Sequence, residues 1–560
     1  MKSRAAALRV IESTHFDVCV IGGGATGSGC ALDAQLRGLR TALVDAGDFA
    51  GATSSASTKL AHGGVRYLQQ AFAELDFGQF QVVQEALRER ALMLQNAPHL
   101  AHPRQFLVPC FSKTAGLYYA AGLKLYDWIA GRAGLGASRL LSRAQAVEVL
   151  PAMARDGLRG AVSYFDGQFD DTRFGLSLVK SFSEAGGENA NYVNVVGFEK
   201  DRNGRLAAVL AVDSFTGSHL RVAARAFVNA TGPYSDHLRS LGTPDATARL
   251  TASKGVHILL PLPGDMKHAL LIPKTEDGRV IFAIPWLGRL LVGTTDEEVK
   301  PDQPLTVSRA EAEYLLRHLN RYSSLQYSIA DVISAFSGVR PLVRAKHARQ
   351  TKKLVRSHEI EVDAGSGLIS ILGGKWTTYR AMAEDTIDRV QKQLGGSGSS
   401  MTHHHLLAGA AGYHSEYWRG LTSEYGLAED SARHLSQKFG TEAAAVLALA
   451  KQNIEMKEPI VQGAAPIRAE VVYCAREEMA VTIEDVLARR IGLQNFSWAL
   501  STEAAEVVAT LLGRELGWPP EQTSRAVEDY VSKIERQWQA LGLSTASRAT
   551  QSSERSSSKE

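Results

Sequence analysis

Cysteine is scarce in this chain. Cys19, Cys30, Cys110 and Cys474 are the only 4 among 560 residues, and they form no CxxC pair and no tight cluster. That argues against a disulfide framework and against a thiolate zinc site, and a reducing compartment is the expectation. A chain of this length buries several cores without such staples. An excess of one charge is also missing, because 62 Lys plus Arg face 59 Asp plus Glu, for a net charge of +3. The near-balance excludes a strongly cationic nucleic-acid binder, although a local basic face remains open. There is no uninterrupted apolar run of the ~18 residues a spanning helix needs. No long apolar stretch precedes Glu12, so no secretory signal is expected. A protein of this kind that works at a membrane lies on its surface. No internal repeat is visible. What is present is ordinary globular composition, 45% hydrophobic and 22% charged. The length suggests about three or four domains.

The N-terminal pattern is a βαβ unit. Residues 16–21 (FDVCVI) are a short apolar run, expected as a buried parallel strand. Residues 25–37 predict a helix of small residues stopped by Gly38, and residues 39–44 a second strand ending at Asp45. Between strand and helix stands Gly22-x-Gly24-x-x-Gly27. Gly22 permits the tight turn, Gly24 lets the backbone approach a pyrophosphate, and Gly27 lets the helix pack closely on the strand. The helix N-terminus adds free N–H groups and a partial positive charge. Asp45 stands where a carboxylate accepts hydrogen bonds from a ribose. Strand, glycines, helix, strand and acid in this order point to dinucleotide binding.

That unit alone does not choose between FAD and NAD, although Asp45 argues against a 2′-phosphate. Three features favour a flavin. The small-residue stretch 51–64 can follow an elongated cofactor. The turn Asn229-Ala230-Thr231-Gly232 closes a later strand, where glycine again allows close approach. The turn Gly373-Gly374-Lys375 opens a helix whose N-terminus can face a flavin ring and stabilise negative charge on it. An ordinary turn is the plain alternative for each of the last two.

Elsewhere, helical periodicity covers residues 74–96, and short strands with an Asn203-Gly204 turn cover 192–229. Further strands are expected at 256–261, 280–285, 290–293 and 367–372, then a helix at 377–393. Residues 394–402 hold Gly-Gly-Ser-Gly-Ser-Ser and read as a flexible linker. Residues 403–543 read as a separate helical domain, and the Ser-rich tail 544–560 as disordered.

Several of these strings are similar to those of the FAD-dependent glycerol-3-phosphate dehydrogenases. Residues 53–68 read TSSASTKLAHGGVRYL, 229–235 NATGPYS, 293–296 GTTD, 337–342 SGVRPL and 373–380 GGKWTTYR, in that family's order. Together they are not shared by the NAD-dependent glycerol-3-phosphate dehydrogenases. The resemblance runs from about residue 16 to about residue 389 and weakly beyond. It implies an α/β FAD-binding domain of the glutathione-reductase-like Rossmann type, an α+β substrate domain with an antiparallel sheet, and an all-α C-terminal domain. The FAD-dependent region would span 14–393, with FAD-binding parts near 14–90, 190–253 and 335–393 and substrate-binding parts near 91–189 and 254–334.

The resemblance also implies the chemistry: FAD takes a hydride from C2 of sn-glycerol 3-phosphate, giving dihydroxyacetone phosphate, and electrons pass to a membrane quinone. It places Gly22, Gly24, Gly27, Asp45, Thr53, Ser54, Ser55, Lys59, His62, Gly63 and Gly64 around the cofactor. Ala230, Thr231, Gly232, Gly374, Thr377 and Thr378 complete that set. Arg66, Arg340 and Lys375, with Tyr67 as a further donor, would converge on the substrate, and a guanidinium fork suits a phosphomonoester dianion. Spacing alone does not show that convergence, and solvated surface charge is the alternative for each.

Oxidising a secondary alcohol also needs a proton acceptor, and His257 in the string KGVH is the candidate base. A hydrogen-bonded core histidine on a strand is the competing reading. Arg340 is suited to polarise the forming carbonyl but is a poor base.

Three other features need a reading. His403-His404-His405 do not give tetrahedral geometry by themselves and read as an exposed loop rather than a metal site. Residues 118–131 (YYAAGLKLYDWIAG) suit either a membrane interface or packing within the substrate domain. No EF-hand pattern is visible, so a bacterial-type enzyme is expected, cytoplasmic and peripheral on the inner face of the cell membrane. The C-terminal helices can mediate homodimer contact, cap the fold or touch lipid, and composition does not choose. Competing functions are an oxidase that uses O2, an amine oxidase of the glycine-oxidase type, and a flavoprotein scaffold without turnover.

Overall fold

Short apolar strands and helices of small residues set the first layer. The computed structural model describes residues 1–64, 77–300, 303, 305–344 and 358–543. Arg66, Tyr67 and the tail 544–560 lie outside the described residues. Five strands run parallel in the order Ile369–Leu372, His219–Asn229, His15–Ile21, Thr41–Val44 and Glu188–Ala190. Glu359–Val362 adds an antiparallel edge, and Val193–Lys200 with Leu206–Asp213 forms an antiparallel extension on His219–Asn229. The central strands are apolar where both faces are covered, and their charged residues Asp17, Arg221 and Arg225 stand at the less buried positions. Val18 and Val20 join a core with Leu32 and Ile387, while Cys19 and Ile21 join another with Val209 and Leu238. The second strand begins at Thr41 rather than Leu39, because the Leu39 N–H still bonds the Ala34 carbonyl at the end of the preceding helix, 3.1 Å.

The register positions the site. Ile21 lies opposite Asn229, and Asn229 opposite Ser370. The carboxyl ends of three parallel strands are therefore level, and the turns that follow them open on one edge. That edge is where open α/β sheets bind ligands.

The second sheet is largely antiparallel and is centred on Leu250–Pro261, which pairs with Arg289–Gly293, Glu297–Val299 and Ser334–Val343. It continues through Ile281–Trp286, Ala269–Ile272, Ala101–Cys110 and Gly160–Phe169. Beyond residue 402 the described chain is helical, from Tyr417–Tyr425 to Pro520–Ala540. These helices share a continuous core with the sheet: Val256, Ile258 and Leu260 belong to the same cluster as Leu435, Val446, Trp498 and Leu512. The Gly/Ser segment before them is held against the fold, because Arg37 donates to the Gly398 carbonyl at 2.9 Å and Asn96 to the Thr402 carbonyl at 3.1 Å. The sequence reading missed the N-terminal helix Arg4–Ser13, which buries Ala7 and Ile11 and ties Arg4 to Asp213 at 2.9 Å.

Candidate active site

The three glycines of the first turn behave as their spacing requires. Gly22 has φ +105°, and a Cβ there would stand 2.6 Å from the Ala230 carbonyl oxygen. A Cβ on Gly27 would stand 1.7 Å from the Gly22 carbonyl oxygen, so only glycine lets the helix lie this close. Gly24 precedes the helix Ala25–Leu36 and lines a cavity of about 1570 Å³ that runs across both sheets. Beside it, the Ser54 hydroxyl accepts the Ala25 N–H at 2.9 Å, and the Ser54 carbonyl accepts the Trp376 indole N–H at 2.9 Å. The glycine turn, the 51–64 stretch and the Lys375–Trp376 turn thus meet around one space.

Asp45 lines the same cavity. Its carboxylate accepts N–H bonds from Gly23 at 2.6 Å and Gly47 at 2.8 Å. Burial pushes its pKa up to about 6; those two bonds and Arg489 oppose the rise, while Asp48 adds to it. Thr53, Ser54, His62, Gly64, Ala230, Thr231, Gly232, Gly374, Lys375 and Thr377 also face the cavity, as do His257 and Arg340.

His257 and Arg340 come together through strand pairing. Ser253 pairs with Arg340, Gly255 with Gly338 and His257 with Phe336, and residues two apart share a face. The glycines between them clear the space. A Cβ on Gly255 would stand 2.3 Å from Arg340 Nη2, and one on Gly293 would stand 2.1 Å from His257 Cδ2. Arg340 Nη2 donates to the Thr294 hydroxyl at 2.9 Å and Nη1 to the Thr295 carbonyl at 3.2 Å, so the GTTD turn aims the guanidinium. The His257 ring stacks on Phe336 with centroids 4.9 Å apart, and its Nε2 lies 2.9 Å from the Thr58 hydroxyl. Burial, followed by the nearby cations Arg340 and Lys59, pushes its pKa well below 6.5. It is a neutral imidazole, the form that accepts a proton.

Five expected cofactor contacts sit elsewhere. Lys59 is turned away from the cavity: its φ is +62°, and its ammonium is buried on Asp171 at 2.6 Å and on the Ser55 carbonyl at 2.7 Å. Trp286 and Phe336 hold the same cation between their faces, at 5.2 and 5.0 Å. Ser55 bonds its hydroxyl to the Ala52 carbonyl at 3.2 Å, and Thr378 bonds its own to the Lys375 carbonyl at 3.3 Å. Gly63 gives its N–H to the Tyr126 hydroxyl at 2.8 Å. Gly27 acts only through helix–strand packing. None of these five lines the cavity. Arg66 and Tyr67 lie outside the described residues.

Sequence reasoning also missed contributors. Thr58 lay inside a matching string but was not singled out. Residues 192–195 and the distant Glu484, Arg489 and Lys533 line the far end of the cavity. For Glu484, Arg489 and Lys533 the only local signal is charge on a helical segment, which is ordinary. The histidine tract sits in a short turn, with His403 Nε2 3.7 Å from Glu384.

The residues fit an FAD: helix-start N–H groups, a glycine cradle, a buried acid at the end of the second strand and a cleared sheet face border one continuous space. Comparison with known proteins agrees. Residues 17–380 match the family described as FAD dependent oxidoreductase, and residues 400–523 the C-terminal domain of alpha-glycerophosphate oxidase. The chain is 41% identical over 517 residues to a probable mitochondrial glycerol-3-phosphate dehydrogenase of Caenorhabditis elegans, covering 90% of this chain and 71% of that one. It is 40% identical over 532 residues to the human mitochondrial glycerol-3-phosphate dehydrogenase, covering 92% and 73%. A solved glycerol-3-phosphate dehydrogenase from Bacillus halodurans, complexed with FAD, superposes with a TM-score of 0.78 at 30% identity, covering 96% and 97%. Sequence, fold and the cradle at the sheet edge thus agree that this chain belongs to the FAD-dependent glycerol-3-phosphate dehydrogenases.

Proposed function

We propose that the chain oxidises sn-glycerol 3-phosphate at C2 to dihydroxyacetone phosphate and passes the electrons to a membrane quinone. The observation that carries this reading is the placement of His257 and Arg340 on one glycine-cleared sheet face, in the same cavity as the nucleotide-binding turns. FAD, held by the glycine turn and the 51–64 stretch, would supply the two-electron acceptor for the hydride of C2. The protein supplies the rest. Arg340 and Lys375 face the cavity and offer positive charge to a phosphate dianion, and Arg66 and Tyr67 are assigned to the same task by motif. Arg340, aimed by Thr294 and Thr295, also stands beside His257 to polarise the C2 oxygen. His257 takes the hydroxyl proton by way of the Thr58 hydroxyl, which bonds its Nε2 and lines the same cavity. Burial keeps the imidazole neutral before reaction, and the Arg340 charge eases proton release from the alcohol.

Anaerobic addition of sn-glycerol 3-phosphate to the holoenzyme tests the reading. Bleaching of the flavin spectrum by this compound, and not by amino acids, is expected; bleaching by amino acids alone would assign an amine oxidase instead. Arg340→Ala should lower turnover at least about 10²-fold with flavin content unchanged, the scale of losing a donor to a developing oxyanion. Near-normal turnover would remove Arg340 from the site. A second acceptor is favoured by one observation, the match of residues 400–523 to a domain named for an oxidase. Stoichiometric peroxide in air, without quinone reduction, would support O2 as the acceptor.

The quinone reading comes with a place for the protein on a bilayer, on the inner face of the cell membrane. Among the described residues no helix is long and apolar enough to cross a membrane. Helix Lys113–Ala130 buries Leu123 and Tyr126 on one side and exposes Leu117 (64%), Tyr118 (55%) and Trp128 (73%) on the other. Membrane fractionation of cells expressing the full chain tests this. Recovery only in the soluble fraction would count against it.

A further inference from the structure

The cavity does not end at Asp45. It continues past Ala46, Gly47 and residues 192–195, and it closes against Glu484, Arg489 and Lys533 of the C-terminal helices. Asp45 marks the ribose. What lies beyond it is therefore the place for the adenine.

Three observations show that this wall is built. First, the helical turn carrying Arg489 is widened by one residue: the Ile491 N–H bonds the Val486 carbonyl five residues back, at 3.0 Å. Such widened turns concentrate at functional sites. Here one brings two successive arginines onto a single acid. Arg489 Nε donates to Asp48 at 2.6 Å and Arg490 Nη2 donates to the same carboxylate at 3.0 Å. Second, the loops bordering the cavity are pinned to that turn. The Tyr192 hydroxyl donates to Asp485 at 2.6 Å, the Tyr192 N–H bonds the Gly47 carbonyl at 2.9 Å, and the Val193 N–H bonds the Asp45 carbonyl at 2.7 Å. Third, Glu484 bridges outward from Arg489 (3.5 Å) to Lys533 (2.6 Å), on the last helix, at the cavity rim.

We propose that the C-terminal helical domain completes the adenosine end of the FAD site: Arg489 presents its guanidinium to the adenine, and the Glu484–Lys533 pair closes the rim. A planar guanidinium suits a purine face. Asp48, Glu484 and Asp485 pair with Arg489 and hold it in place, and it still lines the cavity. The domain is then a cofactor-retention element, and it acts at the end of the cofactor remote from the His257–Arg340 chemistry. The inference rests on FAD being the cofactor. Flavin-free wild-type protein would overturn that reading, whereas the measurements below overturn only this one.

The test uses full-chain holoenzyme with Arg489→Met, Lys533→Met and, as a control, Arg525→Met, an exposed residue of the same last helix that does not line the cavity. FAD release is followed by flavin fluorescence after dilution, and melting is measured with and without saturating FAD. Arg489→Met should release FAD about tenfold faster, the scale of a partly desolvated cation–π contact. Lys533→Met should release it severalfold faster, and the control at the wild-type rate. Saturating FAD should raise the melting temperature of the two variants by less than it raises that of wild type and control, because a ligand that binds only the native state stabilises less when its Kd is higher. Wild-type release rates in both variants would overturn the proposal. So would an equal gain in melting temperature on adding FAD in wild type and both variants. If Arg489→Met gives no soluble protein, Lys533→Met decides alone, since its side chain is 46% exposed and an exposed ion pair contributes about 0–1 kcal/mol.

Discussion

Replacing Asp45 separates two pH dependences that run in opposite directions. In the folded chain without cofactor its pKa is pushed up to about 6 from 3.8. For a raised pKa, protonation favours the fold: the stabilising contribution is present below the unfolded value and is lost as pH rises through about 6. Holding the ribose needs the other form, because an ionised carboxylate is the stronger acceptor. FAD affinity should therefore fall as pH drops through about 6. With that pKa, ionisation is nearly complete at about pH 7.5 and about a tenth at pH 5, so affinity should fall roughly tenfold across that interval. A hydrogen bond to a charged group contributes about 1.5–3 kcal/mol, so Asp45→Ala should weaken FAD binding roughly 10- to 150-fold at neutral pH. Asp45→Asn is the sharper test. Both carboxylate oxygens accept backbone N–H groups, from Gly23 and Gly47. The asparagine NH2 must therefore face one of those donors, and binding should weaken at every pH with no slope between pH 5 and 7.5. Fluorescence titration of apoprotein with FAD over that range reads both quantities. A wild-type affinity that does not change with pH, or an equal slope in Asp45→Asn, would refute the ribose role.

The remaining predictions concern the site's support. Gly293→Ala should displace the His257 ring, which Phe336 and Thr58 hold in place; overpacking of about 1–3 kcal/mol is expected. Turnover should fall far more than flavin content, and unchanged turnover would show that the ring is free to yield. Lys59→Met leaves the buried Asp171 carboxylate without its cation and should cost about 3–5 kcal/mol in chemical unfolding. The double variant Lys59→Met/Asp171→Asn should recover part of that loss, and an unchanged unfolding midpoint in Lys59→Met would deny the pair its structural role. Leu117→Ser/Trp128→Ser removes two exposed apolar side chains, each contributing about 1.5–3 kcal/mol when fully buried. Binding to phospholipid vesicles should drop at least tenfold while turnover with a soluble acceptor stays near normal, and unchanged vesicle binding would move the contact off this helix.

The nucleotide-binding unit was legible in the sequence because its causes are local. A strand of 7 residues, a glycine turn and a helix of 12 residues are contiguous; Gly27 answers a clash with Gly22 inside the turn and Gly22 one with Ala230 across a single strand pair. Asp45 followed from the same geometry. His257 and Arg340 were legible only through motif, since 83 positions separate them and strand pairing alone puts them on one face. Lys59 shows the opposite case. Its place in a matching string suggested the cofactor, but a left-handed backbone turns its side chain to Asp171, 112 positions away.

What the sequence determined by itself is the parallel-strand cradle, the small-residue wrap and the helical character of the C-terminal region, because periodicity, glycine spacing and composition act over one or two elements. What only the tertiary structure decided is which charges are shared between domains. Arg489 meets Asp48 across 441 positions. Burial raises the pKa of Asp48, but Arg490 and Arg489 together hold it below the ordinary carboxylate value. No local pattern encodes such a pair. It exists because packing the C-terminal helices against the nucleotide fold removes both groups from water, and a buried charge must find its partner wherever the fold brings one.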